Sequence, residues 1–244
     1  MTVSAAIITS DTTPVNIPLR PRVRSADSLT SIANDPSSSH ISDKPIDEVF
    51  FRHGRVEDAP LMTEMQFSNY LYHYPGIAPK VFLDTLNYSA MTAYHVKRMT
   101  PPVPQREMVY VVAERKNPKT NEPEIIGLSQ AMVPDWKRAY NHRWNEGWSQ
   151  DDFDCEIDTL YVKIGVQGGG LGRKLVLGAL QEAYDRFNMQ RGVVIWTLIG
   201  NTQGRNFYKR IGCKEVGVRT LDLAGVPSEC VGYGFRTVGE AIGK

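Results

Sequence analysis

The chain has 244 residues, and its 28 Lys and Arg residues against 27 Asp and Glu residues give a formal net charge of +1. Hydrophobic residues at 41% and charged residues at 23% are ordinary values for a globular protein with a buried core. The composition excludes a fully disordered, collagenous or coiled-coil protein. The near-zero charge argues against a nucleic-acid-binding protein and against an acidic membrane surface as a partner.

The cysteines and the apolar runs bear on the compartment in which the protein works. Cys155, Cys213 and Cys230 are odd in number and far apart, which fits neither a disulfide framework nor a metal clip. No stretch reaches the roughly 18 to 20 unbroken apolar residues of a membrane helix, and the first residues lack the basic region of a signal peptide. We therefore expect a protein of the cytoplasm or nucleus without a membrane partner.

The first part of the chain divides into a tail and a helical region. Residues 1–46 are rich in Ser, Thr and Pro and show no hydrophobic period, so we expect a disordered tail there and a folded domain over 47–244. After a β-type run at residues 49–52, Asp58 as an N-cap predicts a helix over Ala59–Tyr72. A second helical pattern, interrupted near Asn87, follows as far as Met99.

A hairpin and an alternation of strands and helices make up the remainder. Residues 108–113 and 125–133 predict two antiparallel strands around a turn, whereas residues 134–154 show no regular spacing. Further strands are predicted over Glu156–Lys163, Val193–Leu198, Cys213–Arg219 and Cys230–Arg236, with helices over Leu171–Asn188 and Thr202–Ile211. Strands that alternate with helices indicate a mixed sheet with crossover connections.

A glycine-rich loop lies between one of these strands and the helix after it. Consecutive backbone N–H groups of Gln167–Gly172 at a helix start can form a cradle for phosphate. A nucleoside-triphosphate loop does not fit, because Gly172 is followed by Arg173, Lys174 and Leu175 rather than by Lys and Ser or Thr. A dinucleotide fingerprint fails because its last glycine is missing. A flexible connector is the alternative interpretation.

The loop and two flanking motifs carry a family resemblance. Gln167–Gly172 matches Q/R-x-x-G-x-G/A, Leu160–Val162 matches an L-x-V strand end, and Asn201–Cys213 is similar to N-x-x-A-x-x-F-Y-x-x-x-G-F. The sequence thereby resembles the GNAT superfamily of acetyl-CoA-dependent N-acyltransferases. It departs from the family at Ile164, where many members have proline, and at Cys213, where they have phenylalanine; these positions affect the turn shape and core packing only.

The resemblance implies an α/β (α+β) fold with a mixed, mostly antiparallel sheet of six to seven strands, flanked by helices and splayed at the acetyl-CoA site. Acetyl-CoA is then the acyl donor, with its pyrophosphate on the glycine loop and its pantetheine arm along the strand end. The implied cofactor-binding residues are Tyr161, Val162, Gln167, Gly168, Gly169, Gly170, Leu171, Gly172, Arg173, Asn201 and Phe207. Arg173 could instead lie on a solvated helix face, and Asn201 could be only an N-cap.

Catalysis of acyl transfer to an amine needs a base for the ammonium proton and an acid for the departing thiolate. By resemblance Tyr208 is the acid and Glu156 the base, with Asp158 in reserve. Since Glu156 and Asp158 lie two apart on one strand, they share a face, and such proximity can raise the pKa of one carboxyl toward neutrality. A water chain could replace both, and a core tyrosine or ordinary surface carboxylates are the plainer interpretations.

The acceptor is expected between the first helices and the aromatic segment at residues 134–154. Tyr70, Tyr74 and Trp136 are the candidate substrate residues, since aromatic rings can hold a cationic amine. His95 and His142 have no partners at metal-ligand spacing, so we predict no metal.

The leading hypothesis is transfer of an acetyl group to a primary amine of a small molecule by direct attack in a ternary complex, by a monomer or homodimer. A protein or peptide acetyltransferase acting on lysine or an N-terminus is the nearest alternative. A non-catalytic acyl-CoA sensor is an alternative of another class, and a nucleotide-binding protein is the weakest.

Overall fold

The computed structural model describes residues 49–100 and 107–243. The predicted disordered tail lies outside these residues. The strands are β1 (Phe50–His53), β2 (Met108–Lys116), β3 (Pro123–Met132), β4 (Tyr140–Trp144), β5 (Phe153–Val162), β6 (Gly192–Leu198), β7 (Lys214–Leu223) and β8 (Val226–Phe235). The α-helices are α1 (Ala59–His73), α2 (Lys80–Asp84), α3 (Tyr88–Met99), α4 (Leu171–Phe187), α5 (Thr202–Arg210) and α6 (Val238–Ile242).

All eight described strands form one sheet in the order β1-β2-β3-β5-β6-β8-β7-β4. Every neighbouring pair is antiparallel except β5 and β6, which are parallel. A mixed, mostly antiparallel sheet is confirmed, but it has one strand more than the six to seven predicted. The additional strand is β4, a five-residue edge strand that pairs only with β7. Sequence patterning missed β4 because the strand has only five residues and these are at best half-buried.

Helices cover both faces of the sheet. On one face, residues of α1 and α3 such as Met62 and Met91 pack in a core with Trp196 of β6. On the other face, α4 buries Leu175 and Leu180 against the sheet in a second core. Among the described residues no helix is both long and apolar enough to cross a membrane. The sheet therefore has a separate core on each face.

The two helix starts in the first region differ in how they are capped. The interruption near Asn87 is confirmed, since Asn87 Oδ1 accepts a hydrogen bond from the Ala90 N–H at 2.9 Å and starts α3. The predicted cap at Asp58 is wrong in its contacts. Asp58 instead binds the Arg52 guanidinium at 2.6 and 2.9 Å and accepts from the Arg55 N–H. The ion pair with Arg52 occupies the carboxylate, which closes a short 3-10 turn ahead of α1.

Candidate active site

The parallel strands β5 and β6 separate part-way along their length. Their pairing runs only from Phe153 opposite Gly192 to Glu156 opposite Val194. Beyond that point β5 stays paired with β3 as far as Val162, and β6 stays paired with β8 as far as Leu198. The facing backbone edges of the two strands are thus released from each other. Such edges can hydrogen bond to an extended ligand.

A β-bulge shapes β5 beside this opening. Thr159 pairs with Gln130 and Ile157 with Ala131, so Asp158 is the extra residue of the bulge. A bulge changes the alternation of side chains along a strand. As a result Tyr161 lies on the α1 face, where its ring centroid is 5.9 Å from that of Tyr70.

The glycine loop follows β5 and leads into α4. Gly168 and Gly170 have φ angles of +101° and +77°, which L side chains rarely adopt, although a Cβ at either position would meet nothing within 4 Å. Glycine is therefore required at these two positions by the backbone conformation and not by crowding. Gly170 starts the 17-residue α4 without a side-chain cap, so the first backbone N–H groups of the helix point out uncapped. Arg173 is exposed in the first turn. This arrangement suits an anion.

Side chains tie the loop to its neighbours. Gln167 Nε2 donates to the Val162 carbonyl oxygen at 3.2 Å and lies 3.3 Å from the His73 ring at the end of α1. Burial lowers the pKa of His73, which favours a neutral ring in this contact. On the other side, a Cβ at Gly172 would lie 3.2 Å from the Phe207 ring. The absence of a side chain at Gly172 thus permits the close approach of α4 and α5.

Asn201 is the N-cap of α5. Its Oδ1 accepts a hydrogen bond from the Gly204 N–H at 3.0 Å, and its Nδ2 donates to Thr197 at 2.9 Å. The capping role considered for Asn201 is confirmed. The predicted contact of its side chain with pantetheine stays a prediction.

Tyr208 of α5, Tyr70 of α1 and Tyr74 at the end of α1 are buried tyrosines of the candidate site. The Tyr208 side chain is fully buried, with its ring 5.7 Å from that of Tyr233. Tyr70 and Tyr74 are each 1% exposed, and their rings lie 5.1 Å apart. Burial raises the pKa of Tyr70 to about 12 and raises that of Tyr74, with Tyr70 and Tyr208 as further causes. The predicted acid and two of the three predicted acceptor residues therefore lie in one neighbourhood.

Trp136, the third predicted acceptor residue, packs against the same core as Tyr70 and Tyr74, among other aromatic rings. Its ring packs at 5.7 Å from Trp144 and 6.4 Å from Phe153, and it is half-buried. Trp148 stacks on the same phenylalanine at 5.4 Å with an interplanar angle of 4°. The aromatic side chains of residues 134–154 thus pack against one another beside β4.

The two predicted base candidates are part of a buried row of charges. Arg138 Nη1 lies 2.6 Å from Asp158, Arg138 Nη2 lies 3.1 Å from Glu156, and Arg219 Nη2 lies 3.3 Å from Glu156. We call Asp158, Arg138, Glu156 and Arg219 the charge row. Its formal charges cancel.

The electrostatics of the two arginines differ. Burial lowers the pKa of Arg138, but Asp158 and Glu156 outweigh it and raise the pKa above its ordinary value. Burial is the main cause at Arg219 too, and there it leaves the pKa lowered. The expectation that the two carboxylates act chiefly on each other is therefore incomplete, because a guanidinium lies between them.

Sequence reasoning missed both arginines. Arg138 follows Trp136 in a 3-10 turn and gives no spacing signal. Arg219 does give a signal, since it occupies a buried position of β7 between Gly217 and Leu221, where alternation calls for an apolar residue. Within the described residues, no group of three or more His, Cys, Asp or Glu side chains could hold a metal ion.

Comparison with known proteins settles the family. The sequence profile of the acetyltransferase (GNAT) family matches residues 91–213, which is about half of the chain and includes the glycine loop and Tyr208. The chain belongs to the GNAT acetyltransferase family. No curated protein matches this acetyltransferase in sequence.

Solved structures share the fold of this acetyltransferase. A PaiA N-acetyltransferase from Thermoplasma acidophilum with coenzyme A is 15% identical, with a TM-score of 0.52 over 78% of this chain and 99% of that one. YncA, a putative acetyltransferase from Salmonella typhimurium with acetyl-CoA, is 17% identical, with a TM-score of 0.52 over 78% and 94%. A spermidine N-acetyltransferase variant from Vibrio cholerae is 13% identical, with a TM-score of 0.51 over 80% and 96%.

Proposed function

We propose that this acetyltransferase moves the acetyl group of acetyl-CoA to a primary amine of a small molecule, by direct attack in a ternary complex. We further propose that its catalytic domain spans residues 47–244. The observation that carries the proposal is the opening between β5 and β6, which ends at the glycine loop and the uncapped start of α4. An extended ligand with a pyrophosphate fits such a site, and two proteins of this fold are described with coenzyme A or acetyl-CoA.

The residues of this chain suit the parts of coenzyme A. Backbone N–H groups of Gln167–Gly172 would hold the pyrophosphate, and Arg173 would add positive charge. The released edge of β5 at Tyr161 and Val162 would pair with the pantetheine amides and polarise the thioester carbonyl. Asn201 and Phe207 would line the pantetheine side from α5. When bound, acetyl-CoA supplies the activated acyl group.

The reaction exchanges a carbon–sulfur bond for a carbon–nitrogen bond, and the acceptor nitrogen loses two protons between ammonium and amide. The amine nitrogen forms a bond to the carbonyl carbon, and the carbon–sulfur bond breaks. Tyr208 gives its hydroxyl proton to the departing thiolate, a step that its burial keeps away from bulk water. Glu156 takes the first proton of the ammonium, directly or through water, with Asp158 as the reserve base. The second proton that the nitrogen loses on becoming an amide restores the Tyr208 hydroxyl. The Arg138 guanidinium beside both carboxylates holds their orientation through contacts of 2.6 and 3.1 Å.

The closed acceptor side favours a small amine over a peptide. Tyr70 and Tyr74 are almost fully buried beneath the layer of α1, α2 and α3. A peptide or protein would need an open groove there. Proteins of the same fold include both a spermidine N-acetyltransferase and a ribosomal-protein-alanine N-acetyltransferase from Brucella melitensis, which is 16% identical with a TM-score of 0.50, so fold alone does not separate the two acceptor types.

The test is thiol release from acetyl-CoA with a panel of small amines and a panel of peptides that carry free lysines or N-termini. We expect release with at least one small amine, together with intersecting initial-velocity lines, as a ternary complex requires. Release with peptides alone would replace the small-molecule acceptor by a protein. Binding of coenzyme A without release from any acceptor would instead support a non-catalytic sensor.

A further inference from the structure

Arg219 is a buried arginine whose donors are only partly used. Its side chain is 3% exposed, and its guanidinium carbon lies 4.4 Å from the centroid of the Trp196 ring. Nη2 reaches Glu156, whereas Nε and Nη1 have no hydrogen-bond partner among the described residues. Buried donors in folded proteins are nearly always satisfied, and an arginine can only donate. Arg219 therefore has the capacity to bind one more acceptor group.

Two neighbouring nitrogen atoms are in the same condition. Trp196 Nε1 and His142 Nε2 are buried and, within the part of the chain that the structure describes, have no partner. The two rings lie 6.1 Å apart. Burial, and then the charge of Arg219, lower the pKa of His142. We call Arg219, Trp196 and His142 the donor cluster; they come from β7, β6 and β4, and two of them can only donate.

The donor cluster adjoins the place where the acceptor would lose its proton. Arg219 contacts Glu156, the proposed base, so the donor cluster is in direct contact with that carboxylate through the Arg219 guanidinium. The charge row, together with Asp135 at 4.0 Å from Arg138 Nε, sets three carboxylates against two arginines, so an ammonium is tolerated beside Glu156. A purely cationic acceptor would nevertheless leave the buried donors of the donor cluster unsatisfied. An acceptor with both an ammonium and a carboxylate would satisfy both ends.

We infer that the acceptor is an aminocarboxylate of the free amino acid class, with its carboxylate held by the donor cluster and its amine directed to Glu156. The inference rests on the proposed function. In the competing interpretation, Arg219 is only a counter-ion that positions Glu156, and the acceptor needs no carboxylate. The two interpretations differ in how rates depend on the charge of the acceptor.

The experiment compares the standard amino acids with their carboxamides, pair by pair, in steady-state thiol release. For the preferred side chain we expect kcat/KM to favour the acid by about 100-fold, because the amide leaves the buried donors unpaired. Arg219→Lys keeps a charge beside Glu156 but loses the planar fork. It should reduce the preference to less than about threefold, mainly by raising KM for the acid.

Controls separate recognition from folding. Arg143 is also in β4, next to His142, but it is exposed, faces the opposite side of the sheet and pairs with Glu229 at 2.7 Å, so Arg143→Gln should keep the preference for the acid. Far-ultraviolet circular dichroism and thermal unfolding establish that Arg219→Lys is folded. If the variant lowers kcat equally for acids and amides, Arg219 is a positioning residue and the inference is wrong.

The outcomes also distinguish this inference from the proposed function. If the wild-type enzyme acetylates amides or polyamines as well as it does acids, the inference is wrong and the proposed function stands. If no amine gives thiol release, the proposed function fails. Calorimetric titration of the coenzyme A-loaded protein with the same acids and amides then tests whether the donor cluster binds a carboxylate. Binding of an acid but not of its amide, lost in Arg219→Lys, supports the donor cluster; equal or absent binding overturns it.

Discussion

The two ends of the proposed active site are built in different ways. The donor end, where the acyl donor would bind, is a continuous stretch, Gln167–Gly172, in which backbone N–H groups and positive φ angles form the anion site. It is separate from the donor cluster, which lies at the acceptor end. The acceptor end is assembled from side chains of a 3-10 turn, β5 and β7, held together by the charge row. A backbone site can be read from a local motif, whereas a side-chain site depends on contacts between residues as far apart as Glu156 and Arg219. The two ends should therefore respond differently to mutation.

The largest effect is expected where the two ends meet, at Tyr208. Tyr208→Phe removes the proposed acid with little change of shape, so kcat should fall by about 10²- to 10⁴-fold while the affinity for coenzyme A changes little. Steady-state kinetics and calorimetry check the two halves of this statement. An unchanged kcat with a competent amine would show that another group protonates the thiolate.

At the acceptor end, Arg138→Gln should mainly destabilise the fold. It removes the guanidinium between two carboxylates that are each 2% exposed, and the free energy of unfolding should fall by about 3–5 kcal/mol. The matched control is Arg143→Gln, which breaks an exposed ion pair and should cost about 0–1 kcal/mol. Urea denaturation measures both. Equal losses of unfolding free energy in the two variants would mean that the buried ion pairs of Arg138 stabilise the fold no more than an exposed ion pair does.

The polar residues beneath the acceptor end predict a pH effect on stability. His95 is 1% exposed and lies 2.9 Å from Gln66 Oε1, and burial lowers its pKa to about 4 from an ordinary 6.5, against a smaller opposing effect of Asp158. Between pH 6.5 and 4 the unfolded chain binds this proton and the folded protein does not. Unfolding free energy should therefore fall as the pH is lowered, by about 3 kcal/mol in total.

The contribution of His95 can be isolated by comparing the wild-type protein with His95→Gln. The glutamine can still donate to Gln66 but does not titrate. The difference between their unfolding free energies should shrink by most of this amount between pH 6.5 and 4.5, since other carboxylates affect both proteins alike. A difference independent of pH would show that the pKa of His95 is the same in the folded and unfolded states.

The smallest effect is expected at the donor end. Gly170→Ala places a side chain at a φ of +77°, which costs about 1–2 kcal/mol, so coenzyme A should bind about 5- to 30-fold more weakly if the loop relaxes. Gly225→Ala is the control, because Gly225 has a φ of +82° and equally open surroundings in the turn between β7 and β8. It should affect stability alone. Equal coenzyme A affinity in both variants would contradict a conformational role for Gly170.

The sequence predicts the donor end far better than the acceptor end. The glycines, Asn201 as an N-cap and the succession of strands and helices along residues 155–236 follow from local signals of a few residues each. Three features of the acceptor end do not. The bulge at Asp158 is set by pairing with β3, β4 depends on pairing with β7, and Arg138 reaches Asp158 across 20 positions of sequence. Of the two arginines, only Arg219 gives a signal in the sequence, because it is a charged residue at a position of β7 where every second side chain is buried.

The central claim is that an acetyl group passes directly from acetyl-CoA to an acceptor nitrogen. Isotope-labelled acetyl-CoA, incubated with the enzyme and the amine that releases thiol, tests it by mass spectrometry of both acceptor and protein. We predict one labelled acetyl group on the amine nitrogen and none on the protein at any time. A labelled enzyme that forms before the product, or label on an oxygen of the acceptor, would contradict the account.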